Sequence, residues 1–142
     1  MYNKTIITFL SLSQNEAFAR NAVASFMLPL NPTLSVIGDV KTAVSEAVTN
    51  AIVHGYPDSV GEITLTAVIS NDNLHIEIKD EGVGIEHVSE ALEPFYTTKG
   101  ESERSGMGFT VMKSFMDEVL VESQLNKGTK VTLVKRLLAK NV

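Results

Sequence analysis

A chain of 142 residues with 44% hydrophobic content can bury one core, and its lack of cysteine excludes a disulfide framework and any thiolate zinc site. Three scattered histidines do not make the cluster of a dedicated metal centre, and a net charge of −5 with dispersed basic residues lacks the footprint of a duplex-binding surface. No run approaches the roughly 18 apolar residues of a membrane span, so the expectation is a single cytoplasmic domain, residues 1–142, with no direct nucleic-acid or membrane contact.

Residues 4–12 (KTIITFLSL), β-branched and apolar, predict an N-terminal strand. A helix is predicted over 14–28, with Ser13 as N-cap and Phe18, Ala19, Ala22 and Phe26 as its apolar stripe. Pro29 and Pro32 stop it, and Arg20 falls off the stripe. A longer helix is expected over 33–54, where Leu34, Ile37, Val40, Val44, Ala47, Val48 and Ala51 recur at spacings of three and four before Gly55 and Pro57. At about 100° per residue, Glu46 and Asn50 lie one turn apart and roughly opposite that stripe, on one exposed or cleft-facing surface.

EITLTAVIS and LHIEIKD alternate about Asn71-Asp72-Asn73 and predict a hairpin. Residues 81–105 carry scattered glycines and prolines and few apolar anchors beyond a short helix over 86–92; loops of this length are usually functional or mobile. A helix over 106–117 and a second hairpin, VLVES and KVTLVKR joined through Asn126-Lys127-Gly128, complete the chain. The order β-α-α-β-β-loop-α-β-β predicts an α+β sandwich, with helices on one face of a largely antiparallel sheet.

Four constellations could carry chemistry. Glu46-Ala-Val-Thr-Asn50, followed by His54 and Gly55, offers a carboxylate able to accept a proton and an amide oxygen suited to magnesium; it could equally be a solvated helix face. Asp80-Glu81-Gly82-Val83-Gly84-Ile85 follows a strand, where an aspartate can accept from an exocyclic amine such as adenine's and glycines admit a flat ligand; a plain turn is the alternative. Arg104-Ser105-Gly106-Met107-Gly108-Phe109 opens a helix, where free backbone N–H groups attract phosphate and Arg104 adds a charged donor, with Thr97, Thr98 and Lys99 assisting. A glycine-rich helix start explains the same residues. Gly128-Thr129 in the last hairpin reads either as a turn or as a fourth piece of the same site.

The order and spacing of these elements resemble the N, G1 and G2 boxes and closing Gly-Thr of the GHKL superfamily of ATPases and kinases. The resemblance spans nearly the whole chain and implies the Bergerat-type ATP-binding sandwich. It also implies roles: Glu46 as general base, Asn50 as magnesium ligand, Asp80 as adenine reader, Gly82 and Gly84 as the adenine-side wall, Gly106 and Gly108 as the phosphate cradle, and Thr129 as support for the adenine contact. His54, Ser105, Met107 and Phe109 belong to the same nucleotide set.

The stretches NEAFAR, VSEAVTNAIVHGY, FYTTK, ERSGMGF and FMDEVLVES are similar to the stand-alone anti-sigma serine kinases of sporulation. That resemblance implies ATP/ADP and Mg2+ as cofactors, a sigma F-type sigma factor as the protein held, and an anti-anti-sigma protein phosphorylated on serine. It also implies a homodimer and a partner-binding role for Arg20. Rival readings are a stress-response anti-sigma kinase with the same site, a nucleotide-gated binding module without phosphotransfer, and the detached catalytic domain of a sensor histidine kinase.

Overall fold

The computed structural model describes residues 1–86, 88 and 108–137. Five strands form one sheet: β1 (Asn3–Leu10), β2 (Glu62–Ser70), β3 (Asn73–Asp80), β4 (Glu118–Gln124) and β5 (Gly128–Arg136). Their spatial order is β1-β2-β3-β5-β4, and every neighbouring pair is antiparallel. Three helices, α1 (Asn15–Met27), α2 (Leu34–Asn50) and α3 (Gly108–Phe115), occur among the described residues, with α2 packed between the other two.

Strand alternation decides which face is covered. Ile63, Leu65, Ala67 and Ile69 of β2, Leu74, Ile76 and Ile78 of β3, and Val131 and Leu133 of β5 are all buried toward the helices. The opposite face carries Lys4, Ile6, Thr64, Thr66, Glu77, Lys130 and Glu122. There Lys130 bridges Glu77 at 3.4 Å and Glu122 at 3.1 Å. This is the α+β sandwich with helices on one face that the element order predicts.

The β2–β3 hairpin turns on Asn71 and Asp72, both with positive φ, the conformation a two-residue hairpin loop demands. Helix α2 starts on Thr33, whose hydroxyl accepts from the Val36 N–H at 3.1 Å.

Three expectations shift. Ser13 is not the cap of α1: Gln14 occupies that position with helical φ/ψ and makes no side-chain bond, so the chain is already turning before a serine cap could act. The buried stripe of α1 is Ala19, Val23 and Met27, which leaves Phe18 53% exposed and edge-on to Phe9 at 6.4 Å. In α2, burial of Ala43 widens the apolar band toward Glu46 and Asn50, so these two half-buried residues border the band instead of opposing it; Leu34, expected within it, is 87% exposed. Beyond Val88, the short helix expected over 86–92 lies outside the described residues, as does the start of the helix expected at 106.

Candidate functional site

The site is built at the end of the sheet where β3 stops. Parity places Asp80 on the helix side, continuing the row of Ile76 and Ile78, and it is only 4% exposed. A carboxylate taken out of water needs donors. Asp80 Oδ1 accepts the Gly82 N–H at 2.9 Å, and the Thr129 N–H also supports the carboxylate. Burial outweighs both and raises its pKa above the ordinary carboxylate value.

Glycines let the backbone close on this carboxylate. After Asn50 the α-helix widens into a π-helical turn, Ala51–Gly55, closed by the Tyr56 N–H on the Ala51 carbonyl at 3.2 Å. The turn carries half-buried His54 and sets buried Gly55 against Asp80, where a Cβ would meet the carboxylate at 2.9 Å. The Val83 N–H bonds the Gly55 carbonyl at 2.9 Å, and a Cβ on Gly82 would lie 1.9 Å from that carbonyl oxygen. Tyr56 completes the join by donating to the Glu62 carbonyl and accepting the Glu81 N–H, each at 2.7 Å.

The other wall is the β4–β5 hairpin. Gly84, at φ +74°, lies where a Cβ would meet the Gln124 carbonyl oxygen at 2.1 Å, and the Asn126 N–H bonds the Val83 carbonyl at 2.6 Å. Ser123 Oγ accepts the Ile85 N–H at 2.7 Å and lies 2.7 Å from Thr129 Oγ1. Thus Asp80, Gly82 and Gly84, on one short segment, and Thr129, remote from them in sequence, form one assembly.

Glu46 and Asn50 stand on α2 and Gly108 and Phe109 at the start of α3; these helices pack together, with Gly108 buried and Phe109 against the core. Arg20 has the charged partner Glu16, whose two oxygens it bonds at 2.7 Å each. Glu16 also accepts from the Ser45 hydroxyl at 2.8 Å, which ties α1 to α2 directly before Glu46. The Arg20 side chain is still 33% exposed. Thr97, Thr98, Lys99, Arg104, Ser105, Gly106 and Met107 lie outside the described residues.

Sequence reasoning missed Ser123, Tyr56, Glu16 and Ser45. Ser123 was recoverable: in VLVES it shares parity with Val119 and Val121, which face inward. The others depend on tertiary contacts that no local pattern encodes.

Residues 11–135 match the family described as Histidine kinase-like ATPase domain. The chain is 57% identical over 134 residues to the anti-sigma F factor of Clostridium acetobutylicum, covering 94% of each chain. It is 55% identical over 133 residues to that of Thermoanaerobacter sp., covering 94% of this chain and 93% of the relative. Against that of Geobacillus sp. it is 54% identical over 136 residues, covering 95% and 93%. Among solved structures it resembles the RsbU and RsbW domains of Rv1364c from Mycobacterium tuberculosis, with a TM-score of 0.68 at 21% identity, covering 95% of this chain and 32% of that one.

Proposed function

The chain belongs to the anti-sigma F factor family, within the histidine kinase-like (GHKL) ATPase domains, and on that premise we propose that it is an ATP-dependent serine-protein kinase that sequesters a sporulation sigma factor of the sigma F type. Its phosphoryl acceptor is a serine of an anti-anti-sigma protein. The observation that carries the nucleotide reading is the buried carboxylate of Asp80, bounded by Gly55 and Gly82 and adjoining Thr129. A carboxylate offers about four acceptor positions, and the two N–H groups around it leave capacity for the exocyclic amine of adenine.

In this reading Glu46 takes the proton of the attacking serine, and the start of α3 with Arg104, Gly106 and Gly108 receives the phosphates. Asn50 would hold Mg2+, which when bound neutralises phosphate charge. Nucleotide-bound states would decide which partner is held, with Arg20 on the shared surface. No helix among the described residues is long and apolar enough to cross a membrane. We place the protein in the cytoplasm as a single domain over 1–142 that works as a homodimer.

The test is incubation with labelled ATP, Mg2+ and the anti-anti-sigma protein, followed by identification of the modified residue. Phosphoserine on the partner is expected. ATP binding without transfer would reduce the protein to a nucleotide-gated binder, and phosphohistidine would move it to the sensor kinases.

A further inference from the structure

Tyr56 sits where two strands part. Its backbone N–H closes the π-helical turn on the Ala51 carbonyl at 3.2 Å, and its ring lies against Gly61, where a Cβ would come within 2.3 Å of it. Backbone and ring together deliver the hydroxyl to the end of the β2–β3 ladder. The last pair there is Ile63↔Asp80, and the next position in register sets Glu62 opposite Glu81. In place of a direct bond between these two, the Tyr56 hydroxyl accepts the Glu81 N–H and donates to the Glu62 carbonyl, each at 2.7 Å.

A hydroxyl held between two strands is a wedge. Two 2.7 Å legs meeting at one oxygen hold the Glu81 nitrogen and the Glu62 oxygen roughly 4–5 Å apart, against about 2.9 Å in a direct ladder bond. β3 is thereby released from β2 one residue after Asp80. The residues that follow use that release: the Gly82 N–H turns back to Asp80 Oδ1 at 2.9 Å, and the Val83 N–H reaches the Gly55 carbonyl at 2.9 Å. A ladder continued through Glu81 would instead carry Gly82 onward along the strand. Burial and the nearby charges of Asp80, Glu81 and Glu62 raise the Tyr56 pKa against the opposing pull of the Glu81 N–H, so the phenol keeps the proton that it donates.

We infer that Tyr56 is a positioning residue of the nucleotide site: its hydroxyl parts β3 from β2 at Glu81 and so aims the Gly82 N–H at the Asp80 carboxylate. This inference rests on the nucleotide reading of Asp80. Tyr56 acts on that carboxylate through Glu81 and Gly82.

A plain clamp, in which the ring merely packs the 57–61 turn, is the competing role. Tyr56→Phe separates the two, because it keeps the ring on Gly61 and removes the wedge. Circular dichroism verifies folding, equilibrium titration measures ATP affinity, and the Gly82 amide signal is followed against pH by NMR in the nucleotide-free chain. Glu81, Glu62 and His54 also titrate near this point, so Asp80→Asn supplies the baseline, and the part of the Gly82 shift that it lacks belongs to Asp80. Tyr56→Phe should weaken ATP about 3- to 10-fold, the worth of one net hydrogen bond, and lose most of that Asp80-linked shift. In the wild-type chain, ATP should in turn slow hydrogen exchange of the Glu81 amide by at least about 3-fold, since the coupling is reciprocal.

Full ATP affinity in folded Tyr56→Phe would overturn the inference. Weakened ATP with an unaltered Gly82 titration would also overturn it, leaving Tyr56 a clamp and the nucleotide site standing. So would a wild-type Glu81 amide that exchanges equally with and without ATP, even if Tyr56→Phe failed to fold. A wild-type chain that does not bind ATP would remove the site itself and the inference with it.

Discussion

Replacing Asp80 by asparagine separates what this carboxylate does for the nucleotide from what it costs the fold. The carboxylate accepts the Gly82 N–H at 2.9 Å, is supported by the Thr129 N–H, and has capacity left for an amine. An amide retains one acceptor oxygen, so its NH2 must face either a backbone donor or the base. One such buried mismatch costs about 1–3 kcal/mol, which weakens ATP roughly 5- to 150-fold. Stability moves differently. Because burial raises the Asp80 pKa more than its two N–H contacts lower it, the folded state holds this proton more tightly than the unfolded chain. Its contribution is therefore most favourable below the ordinary carboxylate range and is lost as pH rises through the raised folded-state value. At neutral pH the charge opposes folding, so Asp80→Asn should keep or raise the Tm of the nucleotide-free protein while losing most of the Tm gain on adding ATP. Wild-type ATP affinity should also rise with pH through that value, a step absent from the variant. Calorimetric titration and thermal scans with and without ATP test this. Undiminished ATP affinity would remove Asp80 from the site, and a nucleotide-free variant several degrees less stable at neutral pH would refute the electrostatic reasoning.

Glu46→Gln should bind ATP and the sigma factor normally but transfer phosphate roughly 10²- to 10⁴-fold more slowly, the usual loss for a general base; an unchanged single-turnover rate would make the carboxylate a surface charge. Arg20→Glu should weaken both protein partners by at least about 30-fold without changing ATP affinity. Because it also sets a second carboxylate against Glu16, Arg20→Ala serves as the milder comparison, and binding of both partners at wild-type strength by the two variants would end the surface assignment. Gly82→Ala would drive a Cβ to 1.9 Å from the Gly55 backbone oxygen, so we expect a loss of about 1–3 kcal/mol in denaturant unfolding together with weaker ATP binding. A variant of unaltered stability would show that the loop simply shifts aside.

The sheet was legible because the strands of its hairpins alternate, except where buried Val134 follows buried Leu133, and turn on Asn71-Asp72 and on Asn126 and Gly128, all at positive φ. Asp80 was legible for the same reason, since parity along LHIEIKD sends it to the buried side. Wheels were less reliable at helix ends. Phe18 and Leu34 read as core on hydrophobicity alone, yet among the described residues Phe18 is covered on one side only, by Phe9, and Leu34 is 87% exposed. The π-helical turn also escaped, because AIVHG carries no local sign that the chain will widen there; the cause is tertiary, in Gly55 meeting Asp80 and Val83. Arg20 lies off the apolar stripe of α1 and four residues from Glu16, a spacing visible in the sequence, but the bond from Ser45 to Glu16 depends on how α1 crosses α2.

The pairing of β1 with β2 has a consequence for synthesis. Each strand of the other two hairpins finds its partner within a few residues, but Leu10 pairs with Glu62 and Asn3 with Ile69, across the whole of α1 and α2. At roughly 5–20 residues per second, a ribosome needs several seconds to cover that interval, and closing so long a loop adds its own entropic cost. During that time Ile6, Ile7, Phe9 and Leu10 emerge ahead of any strand they could join. The first strand made must wait for the second, and a nascent chain stalled before Glu62 would present an unpaired apolar edge to whatever else is in the cell.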